Sequence, residues 1–164
     1  MQEVKQALHQ AYTGEAKAAL RLKVYGEKAR EEGYPQVAKL FEVISFSEGL
    51  QGRRALRLLK EIKGTQDNLA DSFESETKVA GVAYEEFIKL AEKVGNKTAS
   101  LYFSQSRDVE ATHAKLYKEA MGHLLQERET TYYVCKVCGY VADGAVPEEC
   151  PICGAPKEKF VKFD

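Results

Sequence analysis

Apolar residues return every three or four positions along most of this chain, the period of a helix that buries one face. The first such block carries Leu8, Ala11, Tyr12, Ala18, Leu22, Tyr25 and Ala29 and stops at Gly33-Tyr34-Pro35. The second carries Val37, Leu40, Phe41, Ile44, Ala55, Leu58 and Ile62 and stops at Gly64. The third runs through Leu69, Phe73, Ala80, Tyr84, Phe87, Leu90 and Val94 to Gly95-Asn96, and the fourth through Tyr102, Val109, Leu116, Ala120 and Leu124. Each block covers roughly 25 to 30 residues, or about 40 Å of helix. Glycine, asparagine and proline at the block ends are the residues that stop helices. Four long amphipathic helices predict a four-helix bundle.

Beyond residue 128 the pattern changes. Tyr132-Tyr133-Val134 and Phe160-Val161-Lys162-Phe163 read as short strands, and Pro147, Pro151 and Pro156 crowd the turns between them. So short a segment buries too little apolar surface to hold itself together and needs a staple. The polar stretch Glu127-Arg128-Glu129-Thr130-Thr131 reads as a linker. The expected organisation is a helical bundle over residues 1–128 and a small metal-stapled β/loop domain over 132–164, a mainly α protein.

Glutamates interrupt the apolar stripes. Glu15 lies between Ala11 and Ala18, Glu48 follows Ile44, Glu76 lies between Phe73 and Ala80, and Glu110 shares the inward side of the fourth helix with His113. Any one of them has a plain explanation as an edge residue whose carboxylate reaches water. Four carboxylates facing one core would repel one another and lose several kcal/mol of hydration each. Protonation or bound cations must compensate them, and a dimetal site does so.

Dimetal bundles use single glutamates from two helices and Glu-x-x-His from the other two. Glu15 and Glu76 are then the single glutamates, and Glu110-Ala111-Thr112-His113 is a complete Glu-x-x-His. The remaining helix reads Glu48-Gly49-Leu50-Gln51, so an amide stands where imidazole is expected. An amide oxygen is a weaker ligand for iron. His9 and His123 fall near helix ends, away from this layer, and read as boundary residues. The pairs Glu31-Glu32 and Glu85-Glu86 read as solvated surface. Tyr84 fits core packing, with a hydrogen bond near the carboxylates as the alternative.

All four cysteines lie in the tail, as Cys135-Lys136-Val137-Cys138-Gly139-Tyr140 and Cys150-Pro151-Ile152-Cys153-Gly154. Two Cys-x-x-Cys knuckles give a tetrahedral sulfur site. Zinc fits these ligands as well as iron does. The carboxylate layer favours iron, because an electron-transfer centre beside a dimetal site makes functional sense. A glycine after each second cysteine lets backbone amides turn toward sulfur.

Charge and hydropathy narrow the setting. A formal net charge of -1 supplies no basic face for nucleic acid. No run of about 18 uncharged apolar residues suggests a membrane span. The start Met1-Gln2-Glu3-Val4-Lys5 has no apolar signal-like core, so the expected location is the cytoplasm, where clustered thiols serve metals rather than disulfides.

The chain resembles the rubrerythrins over nearly its whole length. Tyr12-Thr13-Gly14-Glu15, Glu32-Gly33-Tyr34-Pro35 and Ala38-Lys39-Leu40-Phe41 are similar to that family's ferritin-like diiron domain, and the two cysteine knuckles to its rubredoxin-like domain. The resemblance implies a non-haem iron peroxidase that reduces hydrogen peroxide to water. Electrons pass from the sulfur-bound iron to the diiron site and come from a separate reductase or rubredoxin. It also implies a homodimer or higher homo-oligomer, with one subunit's rubredoxin-like centre near the partner's diiron site. By resemblance, Glu15, Glu48, Glu76, Glu110 and His113 are iron ligands, and Cys135, Cys138, Cys150 and Cys153 hold the single iron; no catalytic residue is expected beyond these ligands.

Two family ligands are replaced. Gln51 stands at the second-helix histidine and Val79 at an additional third-helix glutamate, and Leu22 stands where a tyrosine is frequent. The expectation is an asymmetric site, with one metal well held and the other weak, absent or differently ligated. These replacements motivate the alternative of an electron carrier or iron/redox sensor without peroxidase activity. A structural zinc protein is the third reading.

Overall fold

A computed structural model describes residues 2–124 and 128–163; of the expected linker, Glu127 lies outside the described residues. The chain divides into two compact units, Met1–Lys63 and Gly64–Asp164.

The first unit is a helical hairpin of α1 (Gln2–Glu31) and α2 (Pro35–Leu58). Gly33 ends α1 with φ of 80°, a left-handed conformation that costs glycine little. The Gly33 amide donates to the Arg30 carbonyl and the Tyr34 amide to that of Ala29, which satisfies two carbonyls at the helix end. Pro35 then opens α2, where its missing N–H is not needed. The seam is built from small residues: Gly26, Ala29, Ala38, Ser45, Gly52 and Ala55 are buried. The Ser45 hydroxyl donates to the Ala19 carbonyl at 2.7 Å and crosses between the helices. Leu40, Ile44 and Leu58, part of the apolar stripe in the sequence, are exposed. Backbones that approach this closely leave room for glycine and alanine on the seam, and the larger residues fall on its flanks.

The second unit contains α3 (Thr65–Lys78), a π-helical turn at Val79–Ala83, α4 (Tyr84–Lys93) and α5 (Lys97–His123). The sequence pattern reads the first three as one helix. The π turn inserts an extra residue into that run, opening three residues after Glu76, a placement common near functional sites. Gly95, with φ of 69°, closes α4 as Gly33 closes α1. Asn96 caps α5, its side-chain oxygen accepting from the Ala99 amide at 3.0 Å. Ile88, Ala91, Val109 and Ala114 are buried in this unit.

The tail forms a three-stranded antiparallel sheet in the order β2-β1-β3, from β1 (Tyr132–Cys135), β2 (Val141–Asp143) and β3 (Phe160–Phe163). Tyr133 pairs with Ala142 on one side and Lys162 on the other. The central strand β1 and the edge strand β3 match the sequence reading; Val141–Asp143 is too short to show an alternating pattern. Asp143 accepts hydrogen bonds from Arg128 and Thr130 and ties the start of the tail to β2. These contacts hold its carboxyl below the usual range, with Thr130 the stronger influence. No helix among the described residues is long and apolar enough to cross a membrane.

Candidate metal centres

The four cysteines converge as the knuckles require. Cys135 Sγ lies 3.8 Å from Cys153 Sγ, and Cys138 Sγ lies 3.6 Å from Cys150 Sγ. A tetrahedron of sulfurs at about 2.3 Å from a central ion has edges of about 3.8 Å, so the thiols fit a metal without rearrangement. Each knuckle is closed by a local turn. The Gly139 amide donates to the Cys135 carbonyl and the Gly154 amide to the Cys150 carbonyl, both at 2.9 Å, with positive φ at both glycines. Cys135 and Cys150 are buried, and Ile152, Tyr140 and Phe160 pack around them.

Burial pushes the Cys135 thiol up, but amides of Cys138 and Val137 hydrogen-bond its sulfur and leave it below the usual thiol range. Burial raises Cys138 and Cys153, each with one backbone amide, from Tyr140 and Ala155, working the other way. Four thiols crowded around one point resist joint ionisation, and a metal cation is what makes thiolates there tolerable.

The carboxylates come together in two sets, one in each unit. Glu15 and Glu48 face each other across the hairpin seam and hydrogen-bond. The bond to Glu48 raises Glu15 above the ordinary carboxylate range, with burial adding to it. Gly52, whose Cβ would sit 3.4 Å from the Glu15 Cβ, lets the helices approach closely enough.

In the second unit, one donor atom each from Glu76, Glu110 and His113 lies within 4.8 Å of the others. Glu110 and His113 are one turn apart on α5, with Nδ1 of the ring 3.0 Å from Oε2 of the carboxylate. Burial pushes Glu76 up to about 7, and a hydrogen bond with Glu110 adds to the shift. Two oxygens and an imidazole nitrogen are a fitting donor set for iron, manganese or zinc. Gln51 is exposed, and Val79 opens the π turn one helical turn after Glu76 and offers no donor.

Other groups adjoin this cluster. Tyr84, at the end of the π turn, hydrogen-bonds Ser106 and rests among Phe87 and Phe103. Core packing and a polar contact near the carboxylates are therefore both realised, and burial raises its phenol above the usual range. Nε2 of His113 lies 3.4 Å from the carbonyl oxygen of Gly139, in the first cysteine knuckle. The Gly139 carbonyl was invisible in the sequence because a backbone oxygen leaves no residue signature. A cavity of about 400 Å³, lined by Leu69, His113, Leu116, Tyr117 and Val141 among others, opens onto the same imidazole. His9 instead pairs with Glu61 at 3.0 Å, and His123 is exposed. Glu85 pairs with Arg107 at 2.9 Å rather than standing free.

The family model described as Rubrerythrin matches residues 6–121, and that described as Rubrerythrin, rubredoxin-like domain, matches residues 133–161. Rubrerythrin-2 of Clostridium acetobutylicum is 30% identical, covering 95% of this chain and 94% of its own. Nigerythrin of Nitratidesulfovibrio vulgaris is 28% identical over 95% of this chain and 84% of its own. A solved structure of nigerythrin in a partially reduced state superposes with a TM-score of 0.61 at 27% identity, covering 97% of this chain and 86% of that one. The helices and the four-cysteine tail thus have the fold class read from the sequence, ferritin-like helices followed by a small rubredoxin-like domain. The chain belongs to the rubrerythrin family, whose members join a diiron carboxylate site to a rubredoxin-like iron site.

Proposed function

We propose that this protein is a rubrerythrin-type peroxidase, which reduces hydrogen peroxide to water with electrons that enter at the four-cysteine iron. The observation that carries this reading is the presence, within one compact unit, of a tetrahedral thiol site and a carboxylate–imidazole cluster. Family membership supports it, as does the solved nigerythrin described as fully reduced and all ferrous.

Cys135, Cys138, Cys150 and Cys153 would hold one iron and Glu76, Glu110 and His113 another, and the family resemblance offers Glu15 and Glu48 as further iron ligands. Iron held there would supply electrons for the reduction of peroxide. The chain supplies the rest. The cavity beside His113 admits a small, uncharged molecule. Reduction of peroxide to water consumes protons, and the Glu76 carboxyl, which burial pushes up to about 7, is disposed to carry one near neutral pH. The working form is a cytoplasmic homodimer or larger homo-oligomer fed by a reductase or rubredoxin.

A second reading has its own support. Gln51 and Val79 replace two ligands of one metal position, which favours an electron carrier or redox sensor whose bundle site binds its second metal weakly or not at all. One experiment separates the two. Iron-loaded protein is reduced without oxygen and mixed with peroxide, and the visible absorbance of the ferric four-cysteine centre is followed. A peroxidase recovers that absorbance in a reaction that Glu110→Ala slows by about a hundredfold or more. Absorbance that stays at the reduced level, in protein with both sites filled, rejects the enzyme and leaves the carrier. Full, tight iron occupancy of a diiron site would remove the asymmetry expected from Gln51 and Val79. Zinc alone at the cysteines would support the structural reading.

A further inference from the structure

Two cavities of the second unit share walls. The one that opens onto His113 holds about 400 Å³, and another of about 190 Å³ lies farther along α5. Leu69, Leu116, Ala120 and Tyr132 line both, so the two form one groove. It runs beside α5 from His113 to the C-cap Leu124, about 16 Å of helix.

The groove continues the helix faces that carry the carboxylate cluster. Leu69 lies two turns before Glu76 on α3, and Leu116 and Ala120 lie one and two turns after His113 on α5. Such spacings keep each pair on one side of its helix. The helix pair that brings Glu76 to Glu110 therefore also walls the groove, and Tyr132 of β1 and Val141 of β2 face it from the tail. Hydrogen peroxide is too small to use this length. Among the described residues, the walls of the cavity at His113 carry no carboxylate, lysine or arginine, and their polar groups are the imidazole and the phenols of Tyr117 and Tyr132. At the far end the charges are engaged, Asp143 by Arg128 and Thr130, and Glu119 by Lys115 at 3.9 Å. A groove of this size and lining suits a neutral ligand with an apolar body.

We propose that the substrates of this site include organic hydroperoxides, with the peroxide group at the His113 end and the apolar body laid along Leu69, Leu116, Ala120 and Tyr132. The assignment rests on the peroxidase reading and names its substrate class. The reaction balances as it does for hydrogen peroxide. Two electrons, entering through the four-cysteine iron, and two protons break the O–O bond, and the organic group leaves as an alcohol beside one water. Each methylene buried in the groove raises affinity about fourfold, a gain that hydrogen peroxide has no carbon to draw on.

The test uses the full chain with zinc in the cysteine site and, as probe, 2-phenyl-2-propanol, the alcohol that cumene hydroperoxide leaves. On titration the methyl NMR signals of Leu69, Leu116 and Val141 should shift and saturate, whereas tert-butanol, which lacks the larger body, should not saturate them in the same range. Ala120→Phe fills the groove from α5 and should weaken binding of the alcohol by about tenfold or more. Ala120→Leu, a smaller filler, takes its place should the first variant fail to fold. Iron-loaded protein provides the kinetic half of the test. KM for cumene hydroperoxide should lie about tenfold or more below that for tert-butyl hydroperoxide, and the filled groove should erase the difference. No saturable shift at these methyls, or binding unchanged in a folded Ala120 variant, overturns the proposal. Reduction of hydrogen peroxide with no preference between the two organic hydroperoxides also overturns it and leaves the peroxidase reading intact. Saturable binding in protein that reduces no peroxide defeats the peroxidase reading and the substrate class with it.

Discussion

The four-cysteine site and the carboxylate cluster solve the same problem, gathering donors around one point, by different routes. In the tail each knuckle places two sulfurs through a turn closed by its own glycine, and the sulfurs are already separated by 3.6–3.8 Å. In the helices no local turn can do this. Glu76 and Glu110 meet because α3 packs on α5, and Glu15 meets Glu48 because small residues let α1 approach α2. Local chain geometry makes the first site and helix packing makes the second, so the two should answer differently to perturbation.

The largest difference should appear on metal removal. Structural metals in small thiolate domains contribute apparent binding energies of about 10–16 kcal/mol, which is folding energy for the tail. Cys150→Ala, or chelation, should abolish the tail's sheet and any metal–thiolate absorbance. The thermal transition of the helices, followed by circular dichroism, should survive. A tail that keeps dispersed NMR signals without metal would end the claim that the ion holds it.

Packing sets the next effect. Gly52→Val places branched carbons against Glu15, where even a Cβ is at 3.4 Å, and should destabilise the hairpin by about 1–3 kcal/mol in thermal unfolding. Gly52→Ala should lie near neutrality, because alanine recovers about 1 kcal/mol of helix propensity.

A smaller effect is written in pH. Glu76 holds its proton up to about 7 in the folded chain, against 4.5 as its ordinary value. As pH rises through that window the unfolded chain releases its proton first, so the stability of metal-free protein falls. Glu76→Gln should flatten this fall in a series of melting temperatures. With a divalent cation present the sign reverses, because the ion binds the carboxylate, and the melting-temperature gain from the cation should grow with pH.

The smallest effect belongs to the surface. Arg107 pairs with Glu85 and Asp108 at 2.9 Å and belongs to neither donor set. Arg107→Ala should cost less than about 1 kcal/mol, with a deficit that shrinks in salt.

Much of this was legible in the sequence because it depends on spacing. Helical period gave the long helices, and the turn residues Gly33, Gly95 and Asn96 mark their ends as in the structure. The cysteine knuckles carry their own geometry. Other features were not legible for identifiable reasons. The π turn at Val79–Ala83 differs from an α-helix by a single inserted residue, which leaves no mark in an apolar stripe. The exposure of Leu40, Ile44 and Leu58 follows from a seam that admits only small side chains, and hydropathy cannot rank close approach against burial.

The amino-acid sequence by itself determined which donors exist and, in the tail, how they are arranged, because a Cys-x-x-Cys-Gly turn constrains its atoms through a few covalent bonds. It also determined what is lacking, since no folding restores an imidazole at Gln51 or a carboxylate at Val79. Tertiary structure alone decided which carboxylates face one another and that a glycine carbonyl meets His113. Those contacts join groups far apart in the chain, and only the packing of helix on helix and tail on helix brings them within reach.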